Sequence, residues 1–375
     1  MIDNTTNYSS IVVDIGSGIT KAGFSGEDGP RSVFSSIVGK PKMPGIIVGM
    51  EQKENYVGEE ALSKLDIMDF HCPVVKGEIS DWNKFETILH YLFYSELKVV
   101  PEEISILITE SPLNPKKNRE KLAETLFETF NVQKLHIANS SMLALYSYGI
   151  TSGIVIDSGF GITSCVPVYE GYPLPHASTK INFGGENLSE LLQTMLQSQL
   201  QLKSIKGRLA ADRIKEIHGY VCKNFDEEEN NMINENKEVE YSLPDGSKVK
   251  IGSELYKFSE SIFRPYDDSY PNIIQLITDS TSKCDPDITD EVQANICLSG
   301  GTTLMNGYSD RIQNELIQKK GSSSFIFNYS PERQYASWIG GSIISSLHNF
   351  SYMWVTKQYY DDVGNSLEAV DSVCF

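Results

Sequence analysis

Two short segments with one shared pattern constrain the fold of this chain more than any other feature. Residues 11–16 read Ile-Val-Val-Asp-Ile-Gly, and residues 154–159 read Ile-Val-Ile-Asp-Ser-Gly. Apolar β-branched runs of this kind are typical of strands buried on both faces. The two aspartates, Asp14 and Asp157, lie 143 residues apart (157 − 14), which is about the length of one domain. The pattern therefore predicts an internal duplication.

The segments around these motifs predict the remaining elements. After each motif the chain continues as a second strand, at 21–26 and at 163–169, so each motif begins a hairpin. A third apolar segment, Ile296–Ser299, ends in Gly300-Gly301. Residues 226–240 are acidic and rich in Asn, and they predict a helix end followed by an exposed loop. Helical periodicity is present at 81–97, 116–130, 188–202 and 342–350, with a strand at 104–109.

Composition narrows the class of protein. The chain has 375 residues and a formal net charge of −18, which disfavours nucleic-acid binding. It contains no run near the ~20 apolar residues that span a bilayer and no signal-peptide pattern at its start. Its six cysteines form no CxxC pair. We therefore expect a cytosolic or nuclear protein with reduced thiols, and no membrane span.

The first two motifs predict a site for phosphate and a divalent cation. Glycines that follow a buried strand let backbone N–H groups approach an anion, and Ser17 and Lys21 add a hydroxyl and a positive charge. Asp14 and Asp157 end equivalent strands, and two carboxylates facing one cleft suit Mg²⁺ held through its waters. The predicted phosphate-binding set comprises Gly16, Ser17, Gly18, Lys21, Ser158, Gly159 and Gly161.

Two further segments complete a candidate nucleotide site. The glycines of Ser299-Gly300-Gly301-Thr302 let the backbone approach a nucleoside. Lys215 and Glu216, within a helical stretch, are placed to bracket a base and a ribose. Each feature alone is common in proteins with no ligand, but their order in two matching halves favours a nucleotide cleft.

The chain resembles the actin family from Ile11 to its end. The matching strings include Tyr-Val-Gly-Glu-Glu-Ala (56–61), Val-Tyr-Glu-Gly-Tyr (168–172), Leu-Ser-Gly-Gly-Thr-Thr (298–303), Trp-Ile-Gly-Gly-Ser-Ile (338–343) and the terminal Cys374-Phe375. The resemblance implies the duplicated, ribonuclease-H-like α/β fold that actin shares with Hsp70 and hexokinase. It also implies two lobes of two subdomains around a cleft that holds ATP or ADP with Mg²⁺ or Ca²⁺.

The resemblance also implies subdomain bounds. Subdomain 1 comprises 1–35, 73–147 and 336–375, and subdomain 2 comprises 36–72 with a loop at 40–53. Subdomain 3 comprises 148–183 and 270–335, and subdomain 4 comprises 184–269.

The departures from the family pattern fall on the residues that orient the attacking water. Ile15 replaces an Asn of the first phosphate loop, and Phe160 replaces an Asp of the second. Ser164 aligns with a His. Ser140 aligns with a Gln, or Asn139 does if the register slips by one. Hydrolysis needs polar groups within reach of the attacking water. We therefore expect nucleotide binding with weak or absent ATPase activity, and we assign no catalytic residue.

The surfaces that the family uses for assembly are unevenly retained. The loop Lys40–Met50 resembles the segment that inserts into the next subunit. An acidic N-terminal cluster is reduced to Asp3, and the plug-like segment 266–272 carries Asp267 and Asp268. A groove resembling the family's site for actin-binding proteins is kept at Tyr146, Gly149, Thr151, Tyr172, Ile343, Ile344, Leu347 and Met353. Apolar stripes of this spacing are also typical of a core.

The sequence leaves several functions open. The first is a divergent actin-like protein of the cytoplasmic cytoskeleton, partnered by actin or actin-like subunits. The second is a conventional filament-forming actin ATPase, and the third is a subunit of a nuclear or other multiprotein complex. A sugar kinase or Hsp70-type ATPase of the same superfold is disfavoured by the actin-specific strings outside the phosphate loops.

Overall fold

The computed structural model of the protein describes residues 10–43, 53–200, 204–235, 238–244, 246–266, 270–320 and 325–363. Its strands are β1 (Ser10–Ile15), β2 (Ile19–Phe24), β3 (Ser32–Ser35), β4 (Val38–Pro41), β5 (Tyr56–Val57), β6 (Met68–His71), β7 (Val74–Val75), β8 (Glu78–Ile79), β9 (Ser105–Glu110), β10 (Lys134–Asn139), β11 (Gly153–Ser158), β12 (Thr163–Tyr169), β13 (Tyr172–Pro173), β14 (Thr179–Ile181), β15 (Val239–Ser242), β16 (Lys248–Ile251), β17 (Asn295–Ser299), β18 (Ile326–Asn328) and β19 (Val355–Thr356).

The α-helices connect these strands. They are α1 (Gly58–Leu62), α2 (Trp82–His90), α3 (Lys116–Glu124), α4 (Ser140–Tyr146), α5 (Gly185–Met195), α6 (Ile205–His218), α7 (Phe225–Glu235), α8 (Glu254–Glu260), α9 (Ile273–Ser282), α10 (Pro286–Ala294), α11 (Tyr308–Lys320), α12 (Ala336–Ser346) and α13 (Lys357–Val363). Among the residues so described, no helix is long and apolar enough to cross a membrane.

Two sheets repeat one topology. The first has the order β3-β2-β1-β9-β10-β19, and the second has the order β13-β12-β11-β17-β18, with β14 also pairing with β12. In the first sheet β1 is antiparallel to β2 and parallel to β9. In the second, β11 is antiparallel to β12 and parallel to β17. The predicted class, a duplicated α/β fold with two lobes, is confirmed.

The central strands are buried on both faces, as their apolar runs predict. In β1, Ile11 and Val13 belong to a core shared with α2 and α3. Val12 points to the opposite face and packs against Trp338 of α12, whose indole N–H donates to the Val12 carbonyl at 3.0 Å. The second lobe has its own core, in which Ile154 and Ile156 of β11 take part.

The two lobes meet where helix α4 crosses helix α12. A Cβ atom added to Gly340 of α12 would lie 1.7 Å from the carbonyl oxygen of Leu143 in α4. Only glycine permits so close an approach. Helix α4 follows a strand of the first sheet but packs Ala144 and Leu145 against Val155 of the second. Helix α12 follows a strand of the second sheet but packs against the first.

Two smaller units extend the lobes. Strands β5, β4 and β6 form a sheet of their own, within the segment 36–72, and β15 and β16 form a hairpin within the segment 184–269. The subdomain bounds themselves stay a prediction.

Several predicted elements change their bounds. The helix predicted at 342–350 begins earlier, at Ala336, because Gly340 and Gly341 lie at the helix crossing instead of breaking the helix. The segment 226–240, predicted to cover a helix end and a loop, does contain the end of α7 at Glu235, and its last residues belong to strand β15. The Asn224 carboxamide accepts the N–H of Asp226 at 3.1 Å, and acidic residues in a first turn suit the helix dipole.

Candidate functional site

The two Asp-ended hairpins make equivalent turns that face each other. In the first, Gly16 N donates to Ile19 O at 3.1 Å, and in the second, Gly159 N donates to Ile162 O at 2.9 Å. A Cβ atom on Gly161 would lie 2.8 Å from Ser17 Oγ. A larger residue at position 161 would therefore push the two turns apart.

Between the turns lies a cleft of about 600 Å³ whose walls come from both lobes. It brings together most of the residues predicted for a nucleotide site: Asp14, Gly16, Ser17, Gly18, Lys21, Asp157, Gly159, Gly161, Lys215, Glu216, Gly300, Gly301 and Thr302. Ile15, Ser140 and Phe160, three of the positions that depart from the family pattern, line it as well.

The Ser158 and Ser164 side chains do not line the cleft. Successive residues of a strand point to opposite faces, so Ser158 faces away from Asp157, and its Oγ pairs with Thr163 Oγ1 at 2.9 Å inside the lobe. Ser164 is wholly buried, and within the described part of the chain its Oγ has no hydrogen-bond partner.

Asp14 is a fixed carboxylate. It is 8% exposed. Lys21 Nζ donates to its Oδ2 at 2.7 Å, and Thr109 Oγ1 donates to its Oδ1 at 2.6 Å. Lys21 is opposite Asp14 in the β1–β2 ladder, and facing residues of neighbouring strands lie on the same side of a sheet. The charge of Asp14 is therefore balanced from within its own hairpin.

Asp157 occupies the equivalent place in the second lobe without a cation opposite. The residue that faces it in the β11–β12 ladder is Ser164. Burial raises the pKa of Asp157 to about 6, and the negative charge of Asp14 adds to the rise, while Lys21 and a hydrogen bond from Ser299 oppose it. Asp157 is thus the carboxylate with more to gain from an added cation.

Gly300 closes the cleft against this carboxylate. Its φ is +89°, and a Cβ atom there would lie 2.3 Å from Ser158 O and 2.5 Å from Asp157 Oδ1. Gly301, the next residue, has no atom within 4 Å of an added Cβ and faces open space. The segment Ser299–Thr302 therefore packs Gly300 against Asp157 and leaves Gly301 free to contact a ligand.

The Lys215 ammonium is already bonded within the second lobe. Its Nζ donates to Gly185 O at 2.8 Å, to Ser189 Oγ at 2.6 Å and to Asp212 Oδ1 at 3.1 Å. Since an ammonium has three donors, Lys215 meets a ligand mainly through its alkyl chain. Glu216 is exposed, and its Oε2 accepts from Arg213 at 3.4 Å.

The Phe160 ring bridges the two lobes in the middle of the cleft. A Cβ atom on Gly18 of the first lobe would lie 2.8 Å from its Cγ, and one on Gly185 would lie 3.5 Å from its Cδ2. The Lys215 ammonium is 5.6 Å from the ring centroid. This ring presents no hydrogen-bonding group to the cleft.

The residues at the start of α4 offer little to a water molecule. Ser140 lines the cleft with a short hydroxyl. The Asn139 carboxamide oxygen accepts from Ser141 N at 3.0 Å and from Met142 N at 3.4 Å, so this side chain caps the helix. Even if the alignment shifts by one residue, the amide oxygen of Asn139 is occupied by the helix, and Asn139 is not among the residues that line the cleft.

The carboxylates of the cleft suit a cation that also binds waters and the phosphates of a ligand. Over the described ranges no group of three or more His, Cys, Asp or Glu side chains could hold a metal ion. Asp14 and Asp157 supply carboxylates from opposite walls of the cleft. Mg²⁺ keeps several waters and commonly binds through one or two carboxylates with substrate phosphates, and this pair fits that requirement.

Several further residues of the cleft are not among those predicted from the sequence. Thr109 lies beside Asp14 near the end of strand β9, and its place at the end of the predicted strand 104–109 is the one signal in the sequence. An apolar part of the cleft wall is formed by Ile217, Leu304 and Met305, and Gln334 lines the cleft as well. Nothing in the local sequence marks these residues, because three separate segments supply them.

The predicted groove presents apolar side chains on the surface. Tyr172, Ile343 and Leu347 are exposed. The Tyr146 hydroxyl donates to Gly171 O at 3.3 Å, which fixes the ring beside the turn that carries Tyr172. The described part of the loop Lys40–Met50 ends at Met43, and Asp3, Asp267, Asp268 and Cys374 also lie outside the described residues.

One comparison with known proteins bears on this cleft. A family model described as Actin matches residues 5–375, nearly the whole chain.

Proposed function

Because the chain belongs to the actin family, we propose that it binds ATP or ADP with Mg²⁺ or Ca²⁺ in the cleft and hydrolyses ATP weakly or not at all. The observation that carries the proposal is the pairing of two equivalent Asp-ended hairpins across one cleft. They bring Asp14, Ser17, Lys21 and Asp157 together.

The binding half of the proposal rests on the retained phosphate and cation groups. Ser17 and Gly18 offer backbone and hydroxyl donors from one lobe, and Gly161 offers a backbone donor from the other, while the N–H groups of Gly16 and Gly159 close their own turns. Asp14 and Asp157 would hold the hydrated cation. The apolar wall at Leu304 and Met305 suits a base.

The weak-hydrolysis half rests on Ser140, Phe160 and Ser164. Ser140 is too short to replace a longer amide, and Phe160 places an apolar ring where an acid is expected. The Ser164 hydroxyl is buried and does not line the cleft. A water molecule beside the terminal phosphate would lack the polar groups that orient it. A conventional filament-forming ATPase remains the alternative.

For its cellular role we propose an actin-like protein of the cytoplasmic cytoskeleton, in actin-type filaments or an actin-containing complex. A nuclear complex is the alternative location. The exposed side chains of Tyr172, Ile343 and Leu347 would receive an amphipathic helix of an actin-binding protein.

Thermal unfolding with and without ligand tests nucleotide binding. A ligand that binds only the native state stabilises it, and the melting temperature rises with ligand concentration. At a ligand concentration of a hundred times Kd the free energy of unfolding increases by about 2.7 kcal/mol. We expect nucleotide-free protein to show this rise with millimolar Mg-ATP and Asp14→Ala to lose it. Asp69→Ala, on β6 and outside the cleft lining, is the control. An unmoved melting temperature in protein shown to be nucleotide-free would refute the proposal.

A further inference from the structure

Arg333 is a buried cation that has no carboxylate partner among the described residues. It is 9% exposed, and no acidic side chain of the described residues lies within ion-pair distance of it. Burial lowers its pKa, and the neighbouring phenols of Tyr148, Tyr329 and Tyr308 oppose that effect only partly. A buried charge is costly unless it is paired or fully hydrogen-bonded.

The second buried arginine of the same lobe shows the ordinary arrangement. Arg311 is 4% exposed, and it pairs with Glu260 at 3.0 Å and with Glu315 at 2.5 Å. The absence of such an acid beside Arg333 is therefore a local feature and not a property of the lobe.

The Arg333 guanidinium instead bonds to neutral oxygens of two backbone segments. Nη2 donates to Thr303 O at 2.7 Å and Nε donates to Thr303 Oγ1 at 2.9 Å, while Nη1 donates to Ser330 O at 2.8 Å. The Arg333 backbone carbonyl accepts from Gly300 N at 3.2 Å. One residue thus holds both ends of the segment Gly300–Thr303.

That segment is the wall that packs on Asp157 and presents Gly301 to the cleft. Thr303 is wholly buried, and its Oγ1 also donates to Gly300 O at 2.7 Å. A fixed Thr303 therefore fixes Gly300, which lies against the Asp157 carboxylate. The guanidinium itself does not line the cleft.

We propose that Arg333 is a positioning residue for nucleotide binding. It sets the Gly300–Thr303 wall against the nucleoside through its forked hydrogen bonds, and its charge is not the property that matters. The inference rests on the proposed function, since it presumes a nucleotide in the cleft. A lysine keeps the charge but lacks the planar fork, so Arg333→Lys separates the two roles.

The test compares Arg333→Lys and Arg333→Gln with the wild type and with the control Arg311→Lys, below the melting temperature of each. Two quantities are measured: the affinity for Mg-ATP and the acrylamide quenching of bound ethenoadenosine triphosphate, which reports how exposed the base is. We expect both Arg333 variants to bind roughly tenfold more weakly, the effect of losing one good hydrogen bond to a charged group. Quenching of the bound base should rise in both.

The outcomes distinguish this inference from the proposed function. Wild-type quenching and affinity in both Arg333 variants would overturn the inference alone. Full recovery by Arg333→Lys but not by Arg333→Gln would assign the effect to charge and overturn it too. An equal change in Arg311→Lys would mean that Arg333 only stabilises the lobe in general, which would also overturn the inference. A wild type that binds neither ligand would overturn the proposed function itself.

Discussion

At the residue scale, the two halves of the cleft differ in the side chain that faces the aspartate. Asp14 faces Lys21 across its hairpin, whereas Asp157 faces Ser164. The carboxylate of the first half is therefore neutralised by its own lobe. Burial raises the pKa of Asp157 to about 6, and the Lys21 ammonium of the other lobe offsets that rise only in part.

The first prediction is a pH dependence that belongs to Asp157. In ligand-free protein the raised pKa, about 6 against 3.8, means that the native state holds a proton more tightly than the unfolded chain. This contribution to stability is complete below pH 3.8 and is lost as the pH rises through about 6. A cation needs the carboxylate, so affinity for Mg-ATP should fall as the pH drops below about 6.

Titration calorimetry from pH 5 to pH 8 would measure the affinity. Because the terminal phosphate also titrates near pH 6, Asp157→Asn serves as the control. This variant should bind more weakly and retain only the dependence that the ligand contributes. Identical pH profiles for the variant and the wild type would contradict the assignment to Asp157.

The second prediction concerns hydrolysis. Wild-type phosphate release should be well below that of an ordinary actin under the same conditions. The triple variant Ser140→Gln, Phe160→Asp and Ser164→His should release phosphate faster, by roughly the 10² that a positioned proton acceptor contributes. Steady-state phosphate release measures both rates.

Adding Asp14→Ala to the triple variant is the control, since it should remove the gain together with the bound cation. Release at ordinary actin rates from the wild type would show that Ser140, Phe160 and Ser164 do not impair the site.

The sequence predicts contacts of the site between residues that are close in the chain, but not those between distant segments. Asp14, Ser17 and Lys21 lie within eight residues of one hairpin, so the sequence predicts their proximity. Thr109 and Gly300 reach the carboxylates only through parallel pairing of β9 and β17, which joins segments far apart in the chain. The bond of Lys215 to Ser189 depends on how α5 and α6 pack, and spacing alone does not reveal it, whereas Asp212 is three residues from Lys215 on the same helix.

At the scale of elements, strands were easier to predict than helix ends. The β12 bounds match the predicted return strand, 163–169, because continuous burial leaves a continuous apolar run. Helix α12 begins six residues before the predicted start at 342, because its Gly-Gly pair, taken from the sequence alone, is typical of a helix break. Tertiary packing against α4 overrides that local preference.

The third prediction tests this crossing. Gly340→Ala should destabilise the protein by about 2–4 kcal/mol, because the added methyl group would overlap the Leu143 carbonyl and push the helices apart. Gly29→Ala is the matched control, since an added Cβ there meets no atom within 4 Å. Urea unfolding measures both. Equal midpoints for the two variants would mean that α12 shifts without loss of stability.

At the scale of the whole molecule, charge bears on self-assembly. The net charge of −18 makes close stacking of copies repulsive, over a Debye length of roughly 10 Å at 0.1 M salt. The sequence adds Asp267 and Asp268 in a segment where an apolar tip is expected. Against this, the loop Lys40–Met50 resembles a segment used for subunit contacts. A mixed assembly, with actin at one end of this chain, reconciles these observations.

The fourth prediction is that the chain alone forms long filaments poorly. Sedimentation at several micromolar protein in Mg-ATP, at low and high salt, measures assembly. Ordinary actin under the same conditions is the positive control, and a mixture of the two chains tests joint assembly. Abundant regular filaments of this chain alone would contradict the prediction.

The exchange of α4 and α12 between the lobes also has a mechanical consequence. Each helix leaves one sheet and packs against the other, and they touch where Gly340 meets the Leu143 carbonyl. Sliding one lobe past the other would disturb the packing of both helices at once. Neither helix can move with the sheet that it leaves without disturbing the core of the other, so the crossing couples the two lobes mechanically.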